Sequence, residues 1–170
     1  MTNLINLITI IRIMLAPVIL FFLMTGNFLM CTLLFFIAGV TDYLDGHLAR
    51  KYNAESQLGE ILDPIADKIL IVFILFGLSV TLDSYLIAFL SSLIISREIG
   101  VAALRDYSAR NNISDRTKVT FLAKIKTAVQ LFTIGSYLLA MTLNLNLLIV
   151  VSDILLIIAT LITIYTGYQY

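Results

Sequence analysis

Charge is scarce in this chain. Of its 170 residues only 13% are Asp, Glu, Lys or Arg, against 60% hydrophobic, and the mean hydropathy is +1.00. A soluble domain carries about a quarter charged residues and far fewer apolar ones, so a water-soluble enzyme or binding module is excluded. Cysteine is nearly absent too. Cys31 stands alone, which rules out an intrachain disulfide, and it reads as a small apolar residue within a helix. No small-residue cleavage site interrupts the apolar run from Leu4 past Pro17 to Met24, so the N-terminus is not read as a cleaved signal. Neither an internal repeat nor a low-complexity tract is present.

What the chain does have is apolar runs, each near the ~20 residues that cross a bilayer as a helix. Their spacing predicts an all-α integral membrane protein with six spans, at roughly 4–24, 28–49, 60–81, 85–107, 120–142 and 147–168, forming one transmembrane domain over 1–170. Thr25-Gly26-Asn27, Thr81-Leu82-Asp83-Ser84 and the Asn144/Asn146 pair punctuate three short turns. Two other connections, Lys51–Gly59 and Ser108–Thr117, are longer and polar.

Lys and Arg are missing from all three short turns. Arg12 lies in the first span, Arg50, Lys51 and Lys68 flank the second connection, and the other seven of the 11 basic residues surround the fourth. The positive-inside rule puts that side, and with six spans both termini, in the cytoplasm.

Four aspartates stand on the same side. Asp42, Asp45 and Gly46 follow one another at i, i+3, i+4 at the end of the second span, with Ala49 and Arg50 one turn later. Gly59, Asp63 and Asp67 follow at i, i+4, i+8 on the third. Such spacings share a helix face. The short connection suggests antiparallel neighbouring helices whose carboxylate stripes face each other. Pro64 suggests a local kink beside them. Capping or interfacial charge would explain one or two of these groups, but explains four poorly. Carboxylates held this close repel one another unless cations neutralise them, and oxygen-only ligands suit magnesium or manganese. His47 is not read as a ligand, since a hard cation prefers oxygen and His47 lies on a different face from Asp42.

The run D-x2-D-G-x2-A-R-x8-G-x3-D-x3-D, filled by Asp42, Asp45, Gly46, Ala49, Arg50, Gly59, Asp63 and Asp67, resembles the signature of the CDP-alcohol phosphatidyltransferases at all eight positions. NLINLITIIR (from Asn3), SREIGVAALRD (from Ser96) and LAKIKTAVQ (from Leu122) are similar to further stretches of the branch that uses glycerol 3-phosphate. Ile5, Ala103, Asp106 and Ala123 depart mildly from that pattern.

The resemblance implies a transferase of phospholipid biosynthesis. Its substrates would be CDP-diacylglycerol and glycerol 3-phosphate, and its products phosphatidylglycerophosphate and CMP. Asp42, Asp45 and Asp63, with Asp67 contributing, would hold two Mg2+ (or Mn2+) ions, and Asp67 would be the general base. Gly46, Ala49, Arg50, Gly59, Asn6 and Thr9 would border the CDP moiety. A homodimer in the bacterial inner membrane, its active site facing the cytoplasm, is implied as well, with membrane lipids but no nucleic acid as partners.

An anionic acceptor needs fixed positive charge. Arg97 and Arg105, eight apart, share a face of the fourth span. Lys124 and Lys126 are two apart and cannot both enter one pocket, and Lys124 is the preferred ligand. The bland alternative is that these residues only obey the positive-inside bias. Arg116 and Lys118 read as solvated loop charges. Asp153, inside the sixth span, has no basic neighbour in sequence and receives no role. Two other functions remain in view. One is the same chemistry with inositol phosphate, serine or a lipid as acceptor. The other is a cation transporter with an aspartate relay, although transporters place such carboxylates nearer mid-membrane.

Overall fold

The computed structural model describes residues 2–51, 57–111 and 121–168. Six helices occupy them: α1 Thr2–Met24, α2 Phe28–Lys51, α3 Gln57–Thr81, α4 Tyr85–Arg110, α5 Phe121–Leu143 and α6 Asn146–Tyr168. Each lies within a few residues of an expected span. Four contain stretches long and apolar enough to cross a bilayer: Leu7–Met24, Leu62–Thr81, Tyr85–Ser108 and Asn146–Tyr168. α2 has a shorter apolar stretch, Phe28–Asp42, ending at the first aspartate of the motif. The chain is a multi-pass helical membrane protein.

The three short turns owe their sharpness to local chemistry. Gly26, Asp83 and Asn144 all take positive φ, at 79°, 45° and 53°. After α1, the Asn27 amide donates to the Phe22 carbonyl (2.9 Å) and the Gly26 amide to that of Leu23 (3.3 Å). After α5, Leu145 and Asn144 repeat this pattern onto Ala140 and Met141. These are paired end-of-helix bonds that satisfy carbonyls with no partner in the next turn. Asn27 and Ser84 then cap the following helices, their side-chain oxygens accepting from the amides of Met30 and Ile87.

The chain divides into two compact units, Met1–Leu82 and Asp83–Tyr170. In the first, α1 packs against both α2 and α3. Its buried positions, Thr9, Arg12, Ala16, Ile19 and Leu23, recur every three or four residues, a seam of one helix face. That seam is apolar for most of its length and polar at its start. α2 and α3, expected as neighbours, are joined through α1, which packs against each. α3 runs on through Pro64.

Gly77 sets the approach of α3 to α1. A Cβ there would lie 2.6 Å from Leu23 Cδ2 and 2.7 Å from Leu20 Cδ1. Small residues allow such close contact between membrane helices. Leu23 is fully buried, so a branched side chain at position 77 has to push a packed neighbour. Gly77→Val is expected to destabilise the purified protein by roughly 1–3 kcal/mol, read as a lowered Tm in detergent. An unchanged Tm would show that this contact is slack.

In the second unit α6 packs against both α4 and α5. Its buried face, Ser152, Leu156, Ala159, Thr160, Thr163 and Thr166, is rich in hydroxyls. Several are satisfied within the helix itself: Ser152, Thr160 and Thr166 donate to the carbonyls of Leu148, Leu156 and Ile162 at 2.7–2.8 Å. Asp153 finds its partner on α5, accepting a hydrogen bond from the Tyr137 hydroxyl at 2.6 Å. Beside it Ser136 and Ser152 share a hydrogen bond of 2.6 Å.

Candidate functional site

The polar start of the α1 seam gathers the aspartates. Thr9 and Arg12 are one helical turn apart, as are Asp63 and Asp67 on α3. The two pairs match in order. Thr9 Oγ1 donates to Asp63 Oδ1 at 2.9 Å, and Arg12 Nη1 donates to Asp67 Oδ1 at 3.3 Å. The same Nη1 also donates to Asp42 Oδ1 on α2 at 2.5 Å. Asp42 of α2 and Asp67 of α3 thus meet on a side chain of α1.

Burial differs sharply across this cluster. The Arg12 side chain is 0% exposed, whereas those of Asp42 and Asp67 are 45% and 44% exposed. Thr9 is fully buried and Gly59, on α3, is buried. The carboxylates therefore rest on a buried base of α1 groups while keeping an accessible side. Asp45, Gly46, Ala49 and Arg50 continue α2, and Asn6 and Lys124 lie in α1 and α5, but the side chains of these six, and of His47, fall outside the described residues. Among the described residues no three carboxylate, thiol or imidazole groups converge on one point as they would around an ion. The positive charge among these aspartates is the Arg12 guanidinium. The donor set still suits a hard cation: carboxylate and hydroxyl oxygens only, half open to solvent.

A second polar cluster lies in the other unit. Arg97 and Glu98 on α4 meet Lys126 on α5 and Thr166 on α6. Glu98 Oε1 accepts from Arg97 Nη1 at 3.2 Å and also from Lys126 Nζ. Arg97 Nη2 donates to Thr166 Oγ1 at 2.9 Å. Gly167 makes room for this arm, since a Cβ there would sit 3.0 Å from both Cγ and Nε of Arg97. One turn beyond Lys126, Gln130 Nε2 donates to Thr163 Oγ1 at 2.9 Å. Arg105 lies near enough for its charge to act on Lys126. Three cations and one carboxylate leave a net positive, largely buried cluster. Arg110 instead pairs with Asp106 at 2.9 Å on an exposed surface.

Of the residues singled out in the sequence, Thr9, Asp42, Asp63 and Asp67 come together in the first cluster, and Arg97 and Arg105 belong to the second. Four others carry the geometry without having been singled out as site residues. Arg12 reads in sequence as one more residue on the positive side. Its phase with Thr9, Ala16 and Ile19 was the signal that it faces inward. Glu98 follows an arginine and reads as its exposed neighbour. Lys126 was set aside in favour of Lys124, although its i, i+4 relation to Gln130 marks a polar stripe on an otherwise apolar helix. Gln130 had no other signal.

A profile of the CDP-alcohol phosphatidyltransferase family matches residues 2–165. Curated relatives bearing the name CDP-diacylglycerol--glycerol-3-phosphate 3-phosphatidyltransferase are similar over most of the chain. That of Haemophilus influenzae is 37% identical over 166 residues, covering 96% of this chain and 88% of the relative. That of Rickettsia typhi is 39% identical over 174 residues, covering 100% and 96%. That of Escherichia coli is 32% identical over 136 residues, covering 78% and 75%.

Proposed function

The chain belongs to the CDP-alcohol phosphatidyltransferase family, and from that premise we propose that it transfers the phosphatidyl group of CDP-diacylglycerol to glycerol 3-phosphate, releasing CMP. The observation that carries this reading is the set of half-exposed aspartates held on a buried polar patch of α1. Residues 1–170 act as one catalytic domain, in the bacterial inner membrane with the aspartates on the cytoplasmic side, and the active form is a homodimer.

Asp42, Asp45 and Asp63, with Asp67 contributing, would hold two Mg2+ or Mn2+ ions. Bound there, such ions would offset the charge of the diphosphate and of the phosphoryl group under attack. Asp67 accepts the proton of the acceptor hydroxyl as that oxygen bonds to the β-phosphorus, and the bond to CMP breaks. Asp67 is suited to this because Arg12 binds it on one oxygen while its side chain stays 44% exposed. Gly46, Ala49, Arg50, Gly59 and Asn6 receive the CDP moiety, Arg50 adding charge for its phosphates. Thr9 acts on that side through Asp63, to which its hydroxyl is donated.

Arg97, Arg105 and Lys124 bind the acceptor's phosphate, while Lys126, two residues from Lys124 and so on another face of α5, pairs with Glu98. Losing one charge-assisted hydrogen bond to phosphate costs about 1.5–3 kcal/mol. Arg105→Ala is therefore expected to raise the acceptor KM by roughly 10-fold or more, with little change for CDP-diacylglycerol. Arg110→Ala, which removes only the exposed pair with Asp106, should do far less. Unchanged acceptor KM in both Arg97→Ala and Arg105→Ala would point to a neutral alcohol or a lipid.

The deciding experiment supplies purified protein with labelled CDP-diacylglycerol and a panel of glycerol 3-phosphate, inositol phosphate, serine and a lipid alcohol, scored for CMP release. Release with glycerol 3-phosphate alone is expected. Release with a different acceptor reassigns the substrate, and release with none refutes the transferase reading.

A further inference from the structure

Arg12 touches no substrate in the chemistry just described, yet it is the most deeply buried charged side chain among the described residues, at 1% exposure. One of its nitrogens, Nη1, contacts Asp42 on α2 and Asp67 on α3 at once. Both contacts are to Oδ1. Each aspartate thus turns one oxygen toward a buried cation and keeps roughly half its side-chain surface accessible. Arg12 has little freedom to leave. Its neighbours along the seam, Thr9 and Ala16, are fully buried, and withdrawing it would leave two neighbouring carboxylates without the cation between them.

Resting on the metal-dependent reading above, we propose that Arg12 is a positioning residue: a permanent internal cation that fixes Asp42 and Asp67 relative to each other and holds down the site's affinity for divalent ions. The physical argument has two parts. The guanidinium spans two helices and so sets the separation of their carboxylates. Its charge also partly cancels theirs, so a divalent ion meets a weaker field than bare aspartates would present.

These two effects separate in a variant. Replacing Arg12 by a neutral residue removes the opposing charge, so ions bind more tightly. It also removes the clamp on Asp67, so turnover slows. Generic damage to the site would loosen ion binding and slow turnover together.

The test is a Mn2+ titration of purified full-length protein in detergent, followed by the paramagnetic signal of free Mn2+, alongside CMP release at saturating substrates. Arg12→Gln is expected to lower the half-saturating Mn2+ concentration by about tenfold while kcat falls by at least about tenfold. In chelator its Tm should drop by roughly 5–10 °C, and added Mn2+ should restore more of that loss than it adds to the wild-type Tm. Arg12→Lys keeps the charge but on an arm one atom shorter, so Mn2+ affinity should stay within about twofold of wild type while kcat is still reduced. Unchanged or weaker Mn2+ binding in Arg12→Gln overturns the proposal. If Arg12→Gln does not fold, Arg12→Lys decides: a loss of Mn2+ affinity in step with kcat overturns it, and preserved affinity with reduced kcat supports it. The titration needs no substrate, so its outcome is independent of the acceptor. Wild-type CMP release with glycerol 3-phosphate and no tightening in Arg12→Gln sinks this inference alone. Tightening without wild-type CMP release sinks the proposed reaction alone.

Discussion

Asp67→Asn is expected to remain folded and to bind CDP-diacylglycerol, yet release CMP about 10²–10⁴-fold more slowly than wild type. The amide keeps the shape of the carboxylate and its oxygen can still accept from Arg12, so the packing of α1 on α3 survives. The loss is chemical: an amide cannot take the proton of the acceptor hydroxyl. Among the three aspartates bonded to α1, the other two have different surroundings. Asp63 is tied to a neutral hydroxyl, and Asp42 sits closest to the guanidinium, at 2.5 Å against 3.3 Å for Asp67. Asp67 is the more loosely held of the two Arg12 partners, which suits a group that must accept a proton. The loss can exceed the general-base range if Asp67 also touches a cation. Single-turnover CMP release, read beside equilibrium binding of CDP-diacylglycerol, separates the two steps. Turnover at the wild-type rate would end the assignment of Asp67 as base.

Removal of divalent ions is expected to have an effect of similar size. In excess chelator CMP release should fall to background, and Mg2+ or Mn2+ should restore it. Asp42, Asp63 and Asp67 carry three negative charges, and Arg12 supplies one positive charge to two of them. The diphosphate of the donor substrate adds more negative charge to the same region. Without further cations this repulsion would exclude the substrate or force protons onto the carboxylates. Full activity in chelator, with metal content shown to be negligible, would require a mechanism in which basic side chains alone carry that charge.

The helices were legible because the apolar runs approach the length a bilayer demands, four of them meeting it in full, and because Gly26 and Asn144 are residues that tolerate the left-handed conformation their turns adopt. The aspartate pair on α3 was legible because helical spacing needs no partner to define it. What connects these features was not. Sequence separation hides contacts such as Arg12 with Asp42, 30 residues apart, and Arg12 with Asp67, 55 apart. A short loop suggests that the helices it joins are neighbours, but not that α1 packs against both α2 and α3. Gly77 and the small residues along the seam let its backbone come close. The same blindness applied to Asp153. Its partner Tyr137 lies 16 residues earlier on another helix, and nothing local announces that a tyrosine hydroxyl will answer a carboxylate.

The hydroxyls of α6 bear on how the chain enters its membrane. Ser152, Thr160 and Thr166 each close a bond to a carbonyl of their own helix, so none of them depends on a neighbour for its first partner. These three positions can leave the translocation machinery for lipid with their hydroxyls already bonded. Asp153 is the sole charged residue of α6, and its partner lies on another helix. That helix is α5, synthesised just before and joined through the tight turn at Asn144. The pair is thereby suited to partition as a hairpin, the tyrosine already present when the carboxylate arrives.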